Sequence, residues 1–156
     1  MVTLIGMGSG KWEALSAQAQ QAVRSAGLVF GAKRLLAGLP ADCMARQFAL
    51  YQPADILETL AQNPGQDAAV LYSGVPDLLR ASGLLTPLRA LGIPARVYPG
   101  VSSIQLLSAA LGRPWQDWKL VSAHGCACDP VAECMMNRSV FFLTGGTETP
   151  ASLCRS

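Results

Sequence analysis

Short apolar runs punctuated by glycine and proline recur along the chain, separated by stretches with apolar residues at helical spacing. The run at 2–5 ends at Gly6 and predicts a buried strand. Ser16 stands at the N-cap of a helix with Ala19, Ala22, Val23 and Ala26 on its apolar face and Gly27 beyond it. Leu28–Phe30 predicts a second strand, residues 33–39 a helical turn before Pro40, and residues 46–50 a third strand. Pro53 suits the first position of a helix through Leu60. Ala68–Tyr72 is a fourth strand, ended by Ser73-Gly74-Val75-Pro76. Residues 77–91 are helical in character, but Ser82-Gly83 and Pro87 predict a kink or a split. Ala95–Tyr98 is a fifth strand, followed by the turn dipeptide Pro99-Gly100. Ser102 or Ser103 then caps a helix with Ile104, Leu107, Ala110 and Leu111 on one face and Gly112 at its end.

Strand and helix alternate five times, the pattern of a parallel sheet with helices on both faces. Leu111-Gly112-Arg113-Pro114 predicts a boundary between a first domain, 1–112, and a second, 113–156. The second holds strands at Lys119–Ser122 and 139–143, a helix at Pro130–Met136, and a last helix opened by Thr149-Pro150. A strand-helix-strand unit plus a short helix cannot cover both of its faces. The expectation is therefore an incomplete second α/β domain whose exposed apolar edges drive self-association.

Composition narrows the function classes. Of the 156 residues, 51% are apolar and only 14% charged, which favours a buried core over disorder. A net charge of +2 is too small to imply nucleic-acid binding. The uncharged stretch 97–112 contains Pro99, Gly100 and three serines, so it is not a membrane span. Five cysteines at irregular spacing do not form a disulfide framework, and a reducing cytoplasm is expected.

Candidate chemistry gathers in the loops that end the strands. Gly6-Met7-Gly8-Ser9-Gly10 is not a dinucleotide fingerprint, because Lys11 stands where the third glycine should be, and it lacks the spacing of a Walker A loop. A flexible turn with close backbone approach is the plainer reading. The segment 97–112 places Ser102, Ser103 and free backbone N–H groups just past a strand's carboxyl end, where open parallel sheets bind ligands. Lys33-Arg34 is a basic pair that, read alone, is a solvated helix start. His124 is the single histidine, more often structural than a general base. Cys126-x-Cys128 with His124 and Cys134 lacks the usual two-residue gap and a second ligand pair, so no metal is expected.

Several of these segments also resemble the tetrapyrrole methylases, and within them the C5-methylating branch of cobalamin synthesis. The resemblance rests on Gly6-x-Gly8-x-Gly10 with Leu15-Ser16, on Gly31-Ala-Lys-Arg-Leu-Leu36, and on Pro99-Gly-Val-Ser-Ser-Ile-Gln105. Leu111-Gly-Arg-Pro-Trp115, Ser122-Ala-His-Gly125 and Ser139–Pro150 extend it. It implies a class III methyltransferase fold with a parallel-sheet first domain and an incomplete second α/β domain. It further implies transfer of a methyl group from S-adenosylmethionine to C5 of a precorrin or cobalt-precorrin, by a homodimer or other homo-oligomer. The implied cofactor contacts are Ser9, Gly74, Val75, Leu78, Ser102, Ser103, Ile104 and Thr144, largely through backbone. Gly8, Lys33, Arg34 and His124 are the implied substrate contacts, and no catalytic side chain is assigned. The chain departs from the pattern at Val75, where the family carries aspartate, at Ser9, commonly proline, and at Cys126, where an arginine is usual. Two rival expectations stand beside this one: a non-catalytic tetrapyrrole-binding remnant, and a methyltransferase of the same fold with another substrate, such as a diphthine synthase.

Overall fold

The structure, a computed structural model, describes residues 1–74, 78–123, 128–144 and 149–155, with backbone alone at 78–80. Its contacts divide the chain into two compact units, Met1–Ser103 and Ile104–Ser156. The division falls at the start of the fifth α-helix, whereas the sequence places a boundary after Gly112, at that helix's end.

The first unit alternates strand and helix. Its strands are β1 (Val2–Gly6), β2 (Leu28–Phe30), β3 (Arg46–Phe48), β4 (Ala68–Tyr72) and β5 (Ala95–Tyr98). Its helices are α1 (Ala17–Ser25), α2 (Lys33–Leu36), α3 (Pro53–Gln62) and α4 (Leu78–Ala90), with a short 3-10 turn at Trp12–Ala14. All strand pairs are parallel, in the order β3-β2-β4-β1-β5. Ser16 caps α1, its hydroxyl accepting the Ala19 N–H at 3.2 Å. The strands alternate their side chains between two cores. Leu4, Phe30 and Val70 pack with Ile56 of α3 and Leu84 and Leu88 of α4. Ile5, Val29 and Leu71 pack with Val23 of α1 and Leu35 of α2 on the other face. Each fully buried large side chain contributes about 1.5–3 kcal/mol. Phe30 adds a stack on Phe48, centroids 5.3 Å apart, which ties β2 to the edge strand.

The expected split of residues 77–91 does not occur. α4 runs unbroken from Leu78 to Ala90 with Pro87 inside it. Ala81, Leu84 and Leu88 are buried at helical spacing, and this burial outweighs the local cost of Gly83 and Pro87. Pro87 lacks the N–H that would donate within the helix, and the helix continues past it to Ala90.

The second unit contains most of α5 (Ser103–Leu111), then β6 (Lys119–Ser122), α6 (Pro130–Met136), β7 (Val140–Leu143) and α7 (Pro150–Leu153). β6 and β7 form a parallel pair. Gly112, with φ 59°, ends α5, and the Arg113 N–H returns to the Ser108 carbonyl at 3.1 Å. The apolar face expected on α5 is only partly buried: Ile104 is covered, whereas Leu107 and Leu111 are exposed. A two-stranded sheet gives this unit little surface against which to bury them. Asp129 caps α6 through Val131 and Ala132, and a Thr149–Ser152 capping box opens α7. No helix among the described residues is long and apolar enough to cross a membrane.

Candidate functional site

The topology fixes where a ligand can bind in the first unit. β1 and β2 feed α1 and α2 on one face, while β4, which lies between them, feeds α4 on the other. Neighbouring strands whose chains leave in opposite directions open a crevice at their carboxyl ends. β4 therefore ends between two crevices, one shared with β1 and one with β2.

The β1–β4 crevice is lined by backbone. The Met7 N–H donates to the Tyr72 carbonyl at 2.8 Å, and the Gly8 N–H to the Gly74 carbonyl at 3.1 Å. The second of these belongs to an isolated antiparallel bridge between the loops that follow β1 and β4. Gly8 holds φ 54°, and a Cβ there would lie 3.1 Å from the Val101 nitrogen. The turn after β5 closes on the same point. A Cβ at Gly100 would lie 2.5 Å from the Gly6 carbonyl oxygen, 2.6 Å from the Gly8 nitrogen, and closer still to the Gly74 carbonyl oxygen. Three loops far apart in sequence thus meet with no side chain between them. Ser9 is exposed at this junction's edge, and Ser102 and Ser103 follow Val101 at the start of α5.

The β2–β4 crevice has a different character. A cleft of about 460 Å³ opens between the ends of β2 and β4 and the start of α3, lined by Arg34, Leu35, Tyr51, Gln52, Tyr72 and Ser73, among others. The Arg34 guanidinium donates to the Ser73 hydroxyl. Burial pushes the Tyr72 hydroxyl up to about 12; like any phenol it is a protonated donor at neutral pH.

The structure brings together some of the residues expected from sequence. Gly8 and Gly74 are bonded to one another, Ser9 and Ser102 lie in loops at the same sheet end, and Ser103 is the first residue of α5. Arg34 faces the cleft, whereas Lys33 is exposed and does not line it. Ile104, buried, and Thr144, exposed just after β7, belong to the second unit. Val75, the Leu78 side chain, His124 and Cys126 lie outside what is described. From sequence, Gly100 reads as a turn residue only, and nothing singles out Tyr51 or the Ser73 side chain. Tyr72 carried a signal: as the last residue of a five-residue buried strand, it stands at the carboxyl end where ligands bind.

Such a backbone-lined junction beside a switch point is shared by many α/β folds, and comparison with known proteins narrows the choice. A family model described as Tetrapyrrole (Corrin/Porphyrin) Methylases matches residues 1–155. The chain belongs to this family. A cobalt-precorrin-7 C(5)-methyltransferase of Salmonella typhimurium is 31% identical over 99% of this chain and 76% of its own length. Among solved structures, the precorrin-6Y methylase of Archaeoglobus fulgidus superimposes with a TM-score of 0.61 at 22% identity, covering 92% of this chain and 72% of that one. A diphthine synthase superimposes with a TM-score of 0.64 at 19% identity, covering 90% of this chain and 63% of that one. The α/β tetrapyrrole-methylase fold is thus the fold of this chain. Proteins with different substrates share it, so the fold alone does not choose among them.

Proposed function

We propose that the chain acts in cobalamin biosynthesis as an S-adenosylmethionine-dependent methyltransferase that methylates C5 of a precorrin or cobalt-precorrin. The family match and the 31% identity to a cobalt-precorrin-7 C(5)-methyltransferase support this reading over a diphthine synthase, whose likeness is one of fold. The geometric observation that carries it is the side-chain-free junction of Gly8, Gly74 and Gly100.

That junction fits a cofactor recognised through main-chain groups. Ser9, Gly74, Ser102 and Ser103 are the contacts proposed from the first unit, and Ile104 and Thr144 from the second. The resemblance adds Val75 and Leu78. The bound cofactor supplies an activated methyl group on a sulfonium. The protein's part is to align that methyl with a ring carbon and keep water away, so orientation supplies most of the rate. No side chain is assigned proton transfer. Arg34 meets the carboxylate arms that corrin precursors carry. A homodimer in the cytoplasm completes the reading, supported by the exposed Leu106, Leu107 and Leu111 and by the cysteine pattern. Sedimentation at the monomer mass would overturn the dimer.

Calorimetric titration with S-adenosylmethionine and S-adenosylhomocysteine tests the cofactor assignment. One site per chain for both is expected. Absence of binding by either would favour the non-catalytic, tetrapyrrole-binding alternative, which the replacement of the family aspartate by Val75 favours.

A further inference from the structure

The second unit carries a groove of its own, of about 460 Å³, beside β7. It is walled by Val131, Cys134 and Met135 of α6, by Phe142 of β7, and by Leu153 and Cys154 at the end of α7. Apart from the two thiols, no lining residue has a polar side chain. Cys134 and Cys154 are both exposed and both free. Two accessible nucleophiles, 20 residues apart in the chain and on different helices, therefore face one apolar space. The other cysteines are placed elsewhere. Cys43 packs against the core of the first unit. Cys128 is partly buried ahead of α6 and does not line the groove, and Cys126 lies outside the described residues.

A disulfide needs its two Cα atoms within about 7 Å of each other. α7 has four residues and Cys154 is its C-cap, so any adjustment falls on a short element rather than on the sheet. The apolar lining suits the product, because oxidation removes two S–H donors for which the groove offers no side-chain acceptor. A pair of this kind stays reduced in a reducing compartment and closes when the thiol pool is oxidised.

We propose that Cys134 and Cys154 form a redox-modification site, a dithiol that glutathione disulfide converts into an intramolecular disulfide between α6 and α7. One protein thiolate attacks a sulfur of glutathione disulfide, whose S–S bond breaks as one glutathione thiolate leaves. The second protein thiolate then attacks the protein sulfur of the mixed disulfide and releases the other glutathione. The protein loses two electrons, glutathione disulfide gains them, and the two thiol protons pass to the two glutathiones. The ring of chain so closed contains β7 and Thr144, so the bond fastens both ends of the segment that carries a proposed cofactor contact. The site itself does not depend on the methyltransferase reading.

The test treats reduced, folded protein with glutathione disulfide, blocks the remaining thiols and maps the peptides by mass spectrometry. Wild-type protein should lose two of its five thiols, gain no glutathione, and yield a Cys134–Cys154 peptide pair that dithiothreitol separates. Cys134→Ser should instead hold one glutathionyl group on Cys154, and Cys154→Ser one on Cys134. Cys128→Ser should leave the bridge unchanged. In urea, where the groove is lost, the same treatment should spread the bonds over all five cysteines. Folded wild-type protein with a glutathionyl group on each of the two residues would overturn the proposal, as would a bridge from either to a third cysteine or to a second chain. Exclusive pairing of the two in urea would also overturn it, by tracing the bond to closeness in sequence rather than to the groove.

Discussion

Replacing Gly100 with alanine is expected to lower stability by about 3 kcal/mol, the upper end of what overpacking costs, and to abolish measurable S-adenosylmethionine binding. The new methyl group would meet the Gly6 carbonyl oxygen at 2.5 Å and the Gly8 nitrogen at 2.6 Å, with the Gly74 carbonyl also in the way. All three obstacles are backbone, so no side chain can swing aside. Relief requires the loop after β5 to withdraw from the loops after β1 and β4. That movement strains the bond between Gly8 and the Gly74 carbonyl and carries Ser102 away from its place. Urea unfolding measures the first effect and calorimetric titration the second. A variant within about 0.5 kcal/mol of wild type, the range of an ordinary surface substitution, would show that the loops do not meet as described.

Val75→Asp is expected to strengthen S-adenosylmethionine binding by about ten- to a hundredfold. The prediction comes from sequence: the family resemblance puts an aspartate at this position, in the turn after Gly74. An aspartate can accept a hydrogen bond or favour the sulfonium's positive charge, and valine can do neither. A hydrogen bond to a charged partner contributes about 1.5–3 kcal/mol, which converts to that gain in affinity. Titration of both proteins under one condition decides it. Equal affinities would mean that main-chain groups carry this turn unaided.

Much of this architecture is legible in the sequence, and the reasons are local. β1, β2 and β4 are buried on both faces and therefore appear as apolar runs, broken only by Thr3 in β1, each closed by a glycine or a serine-glycine turn. The caps at Ser16 and Thr149 are equally plain, because a single side chain bonds a backbone group three residues on. α4 misleads for the opposite reason. Its stability comes from Leu84 and Leu88 packing against the sheet, and no local rule weighs that against Gly83 and Pro87. The site divides in the same way. That the glycines after β1, β4 and β5 matter can be suspected from their positions. That they touch cannot, because their meeting depends on the strand order β4-β1-β5. The Arg34–Ser73 bond spans 39 residues and depends on β2 and β4 being neighbours, so sequence alone shows a basic residue without its partner. The family resemblance implies the ligands, and the strand order brings Gly8, Gly74 and Gly100 to one point and Arg34 to Ser73.

On the proposed function, this chain moves a methyl group from S-adenosylmethionine to a ring carbon of a cobalamin precursor. Incubation with a carbon-13 methyl donor and cobalt-precorrin-7, read by nuclear magnetic resonance, tests it most directly. One new labelled methyl at C5 and one S-adenosylhomocysteine for each corrinoid converted are expected. An unlabelled corrinoid, recovered with its donor intact under conditions where the protein binds both, would contradict it.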